Sequence, residues 1–336
     1  MPGLDWHSRF ASASLIGMGE NAENAAADPT GDSGRVGWRL GDWQQVAHGV
    51  YRLVAEPASV NIGLVVGSEG ALLVDTGSSP AQGAELRGAV SRVTDLPLVA
   101  VVVTHDHFDH SFGLAGLAGV PSIGHESLSQ TLLTEQGPTE GVAAGARSLG
   151  FDPGELVLPE TLIAVADVVG LGGSRVAEIA HLGDGHSRGD LVITVTDPGA
   201  DGFGGVIFAG DLIESAPAES PAPWYGSDSS PDQWSWTVDR LRGLAGSQTI
   251  IVPGHGDPVG VDFVIEQRDA IDAVRMELER LAAAGVSESD ALGQGDWPFP
   301  ADHVAAGIAP GYAEIRAAAE RQSGAGGRPT LPLAGT

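Results

Sequence analysis

The segment Thr104-His105-Asp106-His107-Phe108-Asp109-His110 sets three imidazoles and two carboxylates within seven residues. It follows directly on the apolar run Leu98-Val99-Ala100-Val101-Val102-Val103. Imidazole nitrogen and carboxylate oxygen are ligands for zinc and its first-row neighbours. In an extended segment His105 and His107 project to the same side and can share one ion. Asp109 and His110, just past the strand, can hold a second ion if the chain turns there. The chemistry this points to is metal-assisted hydrolysis. Two ions roughly 3.5–4 Å apart can share a water and lower its pKa from about 15.7 toward 7.

Such a cluster needs a sheet edge to stand on, and the flanking pattern supplies one. Val46 to Val54 alternates, and Val60 to Val66 and Ala71 to Val74 are short apolar runs separated by glycine, as in an antiparallel meander. Pro80 to Val93 carries a helical pattern with Ala84, Leu86 and Val90 inward. Further strands are expected at Leu98–Val103, Val120–Ile123, Leu156–Leu158, Val165–Val169, Arg175–Ala180, Asp190–Thr196, Gly205–Ala209 and Thr249–Val252. Helices are expected at Glu126–Glu135, Asp232–Leu244 and Asp262–Ala283, and Gln136 to Asp152 reads as an irregular excursion. Two rounds of strands with flanking helices suggest an α/β protein of two sheets face to face with helices outside.

Several of these strands end on a polar residue. Leu72–Val74 leads into Asp75, Arg175–Ala180 into Asp184-Gly185-His186-Ser187-Arg188-Gly189-Asp190, Val206–Ala209 into Gly210-Asp211, and Thr249–Val252 into Pro253-Gly254-His255. If these ends face one edge, they converge on one site.

In this set of motifs, over about Trp43 to Phe263, the chain resembles the metallo-β-lactamase fold family of metal-dependent hydrolases. Asp75, His105-x-His107-x-Asp109-His110, His186, Asp211 and His255 occur in the family's order. The resemblance implies an αββα sandwich, two mixed β-sheets flanked by helices, with the site at one edge. It assigns His105, His107 and His186 to a first metal, Asp109, His110 and His255 to a second, and Asp211 as the bridge. All seven positions are filled. Asp75 is implied to support the ligand loop by hydrogen bonding. The cofactors would be two divalent ions, zinc first, with manganese or iron also compatible with the donor set. The implied activity is a dinuclear hydrolase in which a metal-bound hydroxide attacks a carboxylic ester, lactone, thioester or lactam. Asp109 and Asp211 would be its catalytic carboxylates. The alternatives are a mononuclear non-haem iron persulfide dioxygenase of the same fold, and a non-catalytic binding protein that kept the fold.

Departures narrow the family. The flavodiiron branch usually places Glu where His107 stands. Branches with a cysteine ligand are excluded because the chain has no Cys. Glyoxalase II shares the ligands but reads its substrate partly through basic residues near the C-terminus, where this chain offers Arg275, Arg280, Arg316 and Arg321 and no Lys.

Composition bounds the partners. A net charge of −27 on 336 residues repels phosphate backbones, so a small-molecule substrate is expected and nucleic acid is not. No run approaches the roughly 18 apolar residues of a membrane span, and the N-terminus lacks a secretory pattern, so a cytoplasmic protein is expected, with homo-oligomerisation open. Residues 1–36 read as a flexible arm, 37–285 as the metallo-β-lactamase-like domain and 286–336 as a C-terminal extension and tail. Trp224 and Tyr225, after Asp211, could wall the substrate cleft, Tyr225 as a donor to a developing oxyanion. Arg188 could salt-bridge Asp184 or Asp190. His181, His7, His48, His125 and His303 stand outside the ligand set.

Overall fold

The structure is a computed structural model that describes residues 37–197, 202, 204–218 and 221–324. The expected arm over 1–36 and the end of the tail lie outside the described residues. In chain order the elements are β1 (Arg39–Leu40), β2 (Gln44–Ala47), β3 (Val50–Glu56), β4 (Val60–Val66), β5 (Ala71–Val74), α1 (Pro80–Val90), β6 (Leu98–Val102), α2 (Phe108–Ser111), β7 (Ser122–His125), α3 (Leu128–Thr131), β8 (Leu133–Thr134), β9 (Gly137–Pro138), α4 (Glu140–Ser148), β10 (Thr161–Ile163), β11 (Ala166–Gly170), β12 (Val176–His181), β13 (Leu191–Thr196), β14 (Val206–Glu214), α5 (Trp234–Leu244), β15 (Ile250–His255), α6 (Val261–Ala283), α7 (Glu288–Gln294), α8 (Ala301–Val304) and α9 (Ile308–Gly324).

Strand pairing runs β10-β7-β6-β5-β4-β15-β14-β13-β12-β11, with β3 also paired to β4. Between β4 and β15 a single pair, His255 with Val60, joins the halves, so the path folds there into two mixed sheets. The two-residue period of a strand explains the layers. In β4 and β5, Ile62, Leu64 and Leu73 face an outer core with Leu86 and Ala89 of α1. Their neighbours Val65, Leu72 and Val74 face inward onto Ile179, Ile193, Val206 and Phe208 of the other sheet. On the far side Ile207 and Ala209 of β14 pack with Trp234 and Val238 of α5 and Ile271 and Val274 of α6. Three cores between four layers make the αββα sandwich. Burying one such side chain contributes about 1.5–3 kcal/mol. The sheets approach closely where Gly63 lies under Phe208, since a Cβ at 63 would run into the ring.

Several elements differ from the expectation. The alternating run Val46–Val54 is a hairpin of β2 and β3, because Gly49 takes a positive φ of 71° between them. Helix α1 buries Gln82, Gly83, Leu86, Ala89 and Val90, while Ala84 is exposed. The helix expected over Glu126–Glu135 shrinks to α3 and gives way to the β8–β9 hairpin. The excursion over Gln136–Asp152 contains a true helix, α4. No strand forms at Leu156–Leu158, and pairing with β7 begins at Thr161. Residues 286–324 are helical and share a core with the second sheet: Ala291, Phe299, Val304, Ile308 and Tyr312 pack with Trp234 and Leu278. Among the described residues no helix is long and apolar enough to cross a membrane.

Candidate metal centre

The strand ends do converge. Ligand-capable atoms of His105, His107, His186 and Asp211 lie within 4.8 Å of one another, and those of Asp109, His110 and His255 form a second such group. Asp211 touches both. Its Oδ2 is 3.7 Å from His105 Nε2 and 3.4 Å from His186 Nε2, and its Oδ1 is 3.1 Å from His110 Nε2. His255 Nε2 stands 3.3 Å from Asp109 Oδ2 and 3.5 Å from Asp211 Oδ2. His107 Nδ1 and His186 Nε2 face each other at 2.9 Å.

The surroundings decide which nitrogen of each ring points inward. Asp75, held at φ 66°, accepts from Thr104 N (2.8 Å) and Thr104 Oγ1 (3.0 Å) and lies 2.8 Å from His110 Nδ1. Donation from His110 Nδ1–H leaves the Nε2 lone pair aimed at the centre. With its proton given to Asp75, Thr104 Oγ1 accepts from His105 Nδ1 at 3.1 Å, and His105 Nε2 is likewise freed. His107 is turned the other way: its Nε2 donates to Asp228 Oδ2 at 3.0 Å, which leaves Nδ1 inward.

A cation fits this donor set. His105 Nε2, His110 Nε2 and Asp211 Oδ1 are buried and make no hydrogen bond, a condition that costs roughly 1–3 kcal/mol per group when nothing else satisfies it. Three such atoms aimed at one volume, lined by imidazole and carboxylate, are the residues a divalent metal takes. The imidazoles and carboxylates also attract one another. Burial opposes charge on His110, but Asp211, Asp109 and Asp75 outweigh it and raise its pKa well above the imidazole range. Burial likewise opposes ionisation of Asp109, yet His110 and His255 hold it at about 2. Burial would depress His107, but Asp228 and its other acidic neighbours bring it up to about 10.

Two turns carry the remaining candidate ligands. The His186 turn is fixed by Asp190, which accepts from Ser187 N and Oγ, and by Ser229 Oγ, which donates to His186 O at 2.8 Å. The His255 turn is held by Arg52 and Asn61, which donate to Gly256 O at 2.9 and 2.7 Å, while Asn61 also reaches Pro253 O at 2.9 Å.

Asp228 was not legible beforehand, since Gly226-Ser227-Asp228-Ser229-Ser230 reads as an ordinary loop. Glu214 was also missed. It is 2% exposed, and burial and then Asp211 raise its pKa to about 8. The period of β14 would have marked it only had the strand been known to run past Ala209.

The cleft reading of Tyr225 is corrected. Tyr225 is 2% exposed, its ring lies 4.7 Å from Trp234, and it belongs to the core beneath the second sheet. An aromatic flanked by apolar positions was buried by the C-terminal helices, whose packing was not foreseen. Its hydroxyl is buried without a hydrogen bond. Tyr225→Phe is therefore expected to change turnover less than about twofold and to hold or raise the melting temperature, because an unsatisfied buried hydroxyl disappears. A tenfold loss of activity would restore it to the cleft. Trp224 is half-buried and stacks on His303 with centroids 3.7 Å apart.

For Asp75 the expected result is graded. Asp75→Asn keeps an acceptor for Thr104 but weakens the hold on His110, and should lower metal affinity or kcat/KM roughly 10–100-fold. Competition with a chelator, beside steady-state kinetics, measures both.

With fold and geometry in hand, the family is plain: the chain belongs to the metallo-beta-lactamase superfamily, whose sequence profile matches residues 55–255. It is 29% identical over 223 residues to the acyl-coenzyme A thioesterase MBLAC2 of Bos taurus, covering 60% of this chain and 75% of that protein. The same values of identity and coverage hold over 226 residues of the Homo sapiens protein of that name. Among solved structures, the metallo-beta-lactamase from Pontibacter korlensis matches with a TM-score of 0.51 at 20% identity, covering 70% of this chain and 99% of that one. That likeness speaks to the fold.

Proposed function

We propose that this protein is a dinuclear metal-dependent hydrolase of acyl compounds, with thioesters the first class to test. The observation that carries the reading is the position of Asp211, within reach of both histidine clusters at once. His105, His107 and His186 would hold one ion, Asp109, His110 and His255 the other, and Asp211 both, with zinc the first choice for this donor set. When bound, such ions supply Lewis acidity and bring water's pKa toward neutrality.

The chain's own residues do the rest. Asp109, ionised at neutral pH, can accept a hydrogen bond from the attacking water and orient it. Asp75 and Asp228 fix the rings of His110 and His107, so the constellation is set before substrate arrives. Trp224 would wall one side of the cleft. Within the ester, lactone, thioester and lactam range, the thioester is favoured by the activity for which the 29% identical relatives are named. A small-molecule partner, rather than nucleic acid, fits the net charge of −27, and a cytoplasmic location is part of the same proposal.

The test is elemental analysis of protein purified without added metal, followed by a panel of thioesters, esters, lactones and β-lactams. Two equivalents of metal with thioester turnover support the reading. One equivalent of iron with oxygen consumption on persulfides overturns it in favour of a dioxygenase, and full metal with no turnover overturns it in favour of a binding protein.

A further inference from the structure

The turn after His186 is closed on every side but one. Gly185, His186, Ser187, Gly189, Asp190 and Leu191 are all buried, and Arg188 alone is exposed. The turn has little freedom. Asp190 holds Ser187, Gly189 N donates to Ser187 Oγ at 3.1 Å, and a Cβ on Gly189 would run into Ser127 and His125. A rigid loop thus presents one guanidinium two residues from a ligand of the centre.

The usual fate of such a cation is an ion pair with a nearby acid. Two were at hand in the sequence, and neither takes it. Asp190 is turned inward on Ser187, and Asp184 lies 3.7 Å from His181 Nε2. Arg188 has no hydrogen bond or ion pair to any described residue. By contrast Arg52, Arg175, Arg268, Arg275 and Arg280 each meet a carboxylate. Arg87, Arg92, Arg147, Arg240 and Arg321 meet no acid among the described residues either, and what sets Arg188 apart is its place as the exposed residue of the buried turn that carries His186. The other charged groups next to the histidine cluster, Asp106 and Asp228 beside His107, are acids and repel anions. On the His186 turn the exposed charge is the guanidinium of Arg188.

We propose that Arg188 is a specificity-determining residue that binds an anionic group, carboxylate or phosphate, carried by the substrate. The inference rests on the hydrolase reading above and adds the charge of the substrate. Guanidinium suits both anions because its planar fork can make two parallel charge-assisted hydrogen bonds.

The test compares three thioesters on the zinc-loaded protein: acetyl-N-acetylcysteamine, which is neutral, glutaryl-N-acetylcysteamine, with a carboxylate on the acyl side, and acetyl-coenzyme A, with phosphates on the leaving side. In the parent, kcat/KM is expected to favour one anionic substrate over the neutral one, which identifies the side. In Arg188→Gln that ratio should fall about tenfold, mainly through KM, and Arg188→Lys should retain part of it. Equilibrium dialysis with two unreactive thioethers, S-ethyl-coenzyme A and S-carboxymethyl-N-acetylcysteamine, gives a second readout independent of turnover. One of them should bind about tenfold more weakly to Arg188→Gln. An unaltered ratio, with unaltered binding of both thioethers, overturns the proposal. If none of the thioesters is cleaved but thioether binding still depends on Arg188, the hydrolase reading fails and the anion site stands.

Discussion

Replacement of Asp211 by alanine is expected to lower kcat/KM by at least about 10³-fold, equivalent to about 4 kcal/mol of transition-state stabilisation. Metal content should fall to less than half of the parent's. Among the described residues Asp211 is the one whose two oxygens reach both clusters, so no described neighbour can take over its position. Its loss also acts on the metal-free chain. After the opposing effect of burial, Asp211 is the largest influence raising the pKa of His110 and of His255. An imidazole raised above its unfolded value of about 6.5 lends stability that is complete below that value and is lost as pH rises through the folded pKa. The metal-free parent should therefore melt lower as pH is raised from 6 upward, and Asp211→Ala should show a flatter profile. Elemental analysis, kinetics and melting curves across pH read all three effects. A variant with parental activity and full metal would remove Asp211 from the centre.

The candidate ligands were legible because each lies at or shortly after an apolar strand, where a polar residue follows. That rule survives small errors in element bounds: β14 runs to Glu214 rather than Ala209, yet Asp211 stays at the sheet edge because the ladder is interrupted at Gly210. What holds the ligands was less legible. Asp228 meets His107 across 121 residues of sequence, and no local period reports such a pairing. Polar burial misled in α6. The sequence pattern puts Phe263, Ala270, Val274, Leu278 and Leu281 on one apolar side; Val274, Leu278 and Leu281 are buried, but the face also takes in Val264, Gln267, Ile271 and Glu277 in place of Phe263 and Ala270. Gln267 is inside because it both donates to Glu214 O at 2.6 Å and accepts from Glu214 N at 3.0 Å, fastening α6 to the strand that carries Asp211. A hydrophobicity rule places glutamine outside. The helices over 286–324 were not legible for the opposite reason: a segment with a weak apolar period gains its order from the surface it covers, here the core shared with the second sheet.

Gly254 makes the sharpest steric prediction. It lies between Pro253 and His255 on β15, beside Asp211 on β14, and a Cβ there would stand inside the Asp211 carboxylate and close to the Gly210 backbone. The obstacle is space, since Gly254 is not among the positive-φ residues. Alanine must therefore displace Asp211 or push β15 away from β14, and either motion separates Asp211 from His255. Misplacement by about 1 Å can cost 10²-fold in rate, so Gly254→Ala is expected to lose roughly that factor or more, with metal content reduced and stability down by about 1–3 kcal/mol. Gly88 on α1 provides the contrast. Nothing lies within 4 Å of a Cβ there, and alanine in place of glycine within a helix stabilises by roughly 0.5–1 kcal/mol. Gly88→Ala should melt slightly higher with metal and turnover unaltered. If Gly254→Ala keeps its full metal and rate, the two strands have more room than this packing allows, and the close fit of Asp211 against β15 is not what sets the centre.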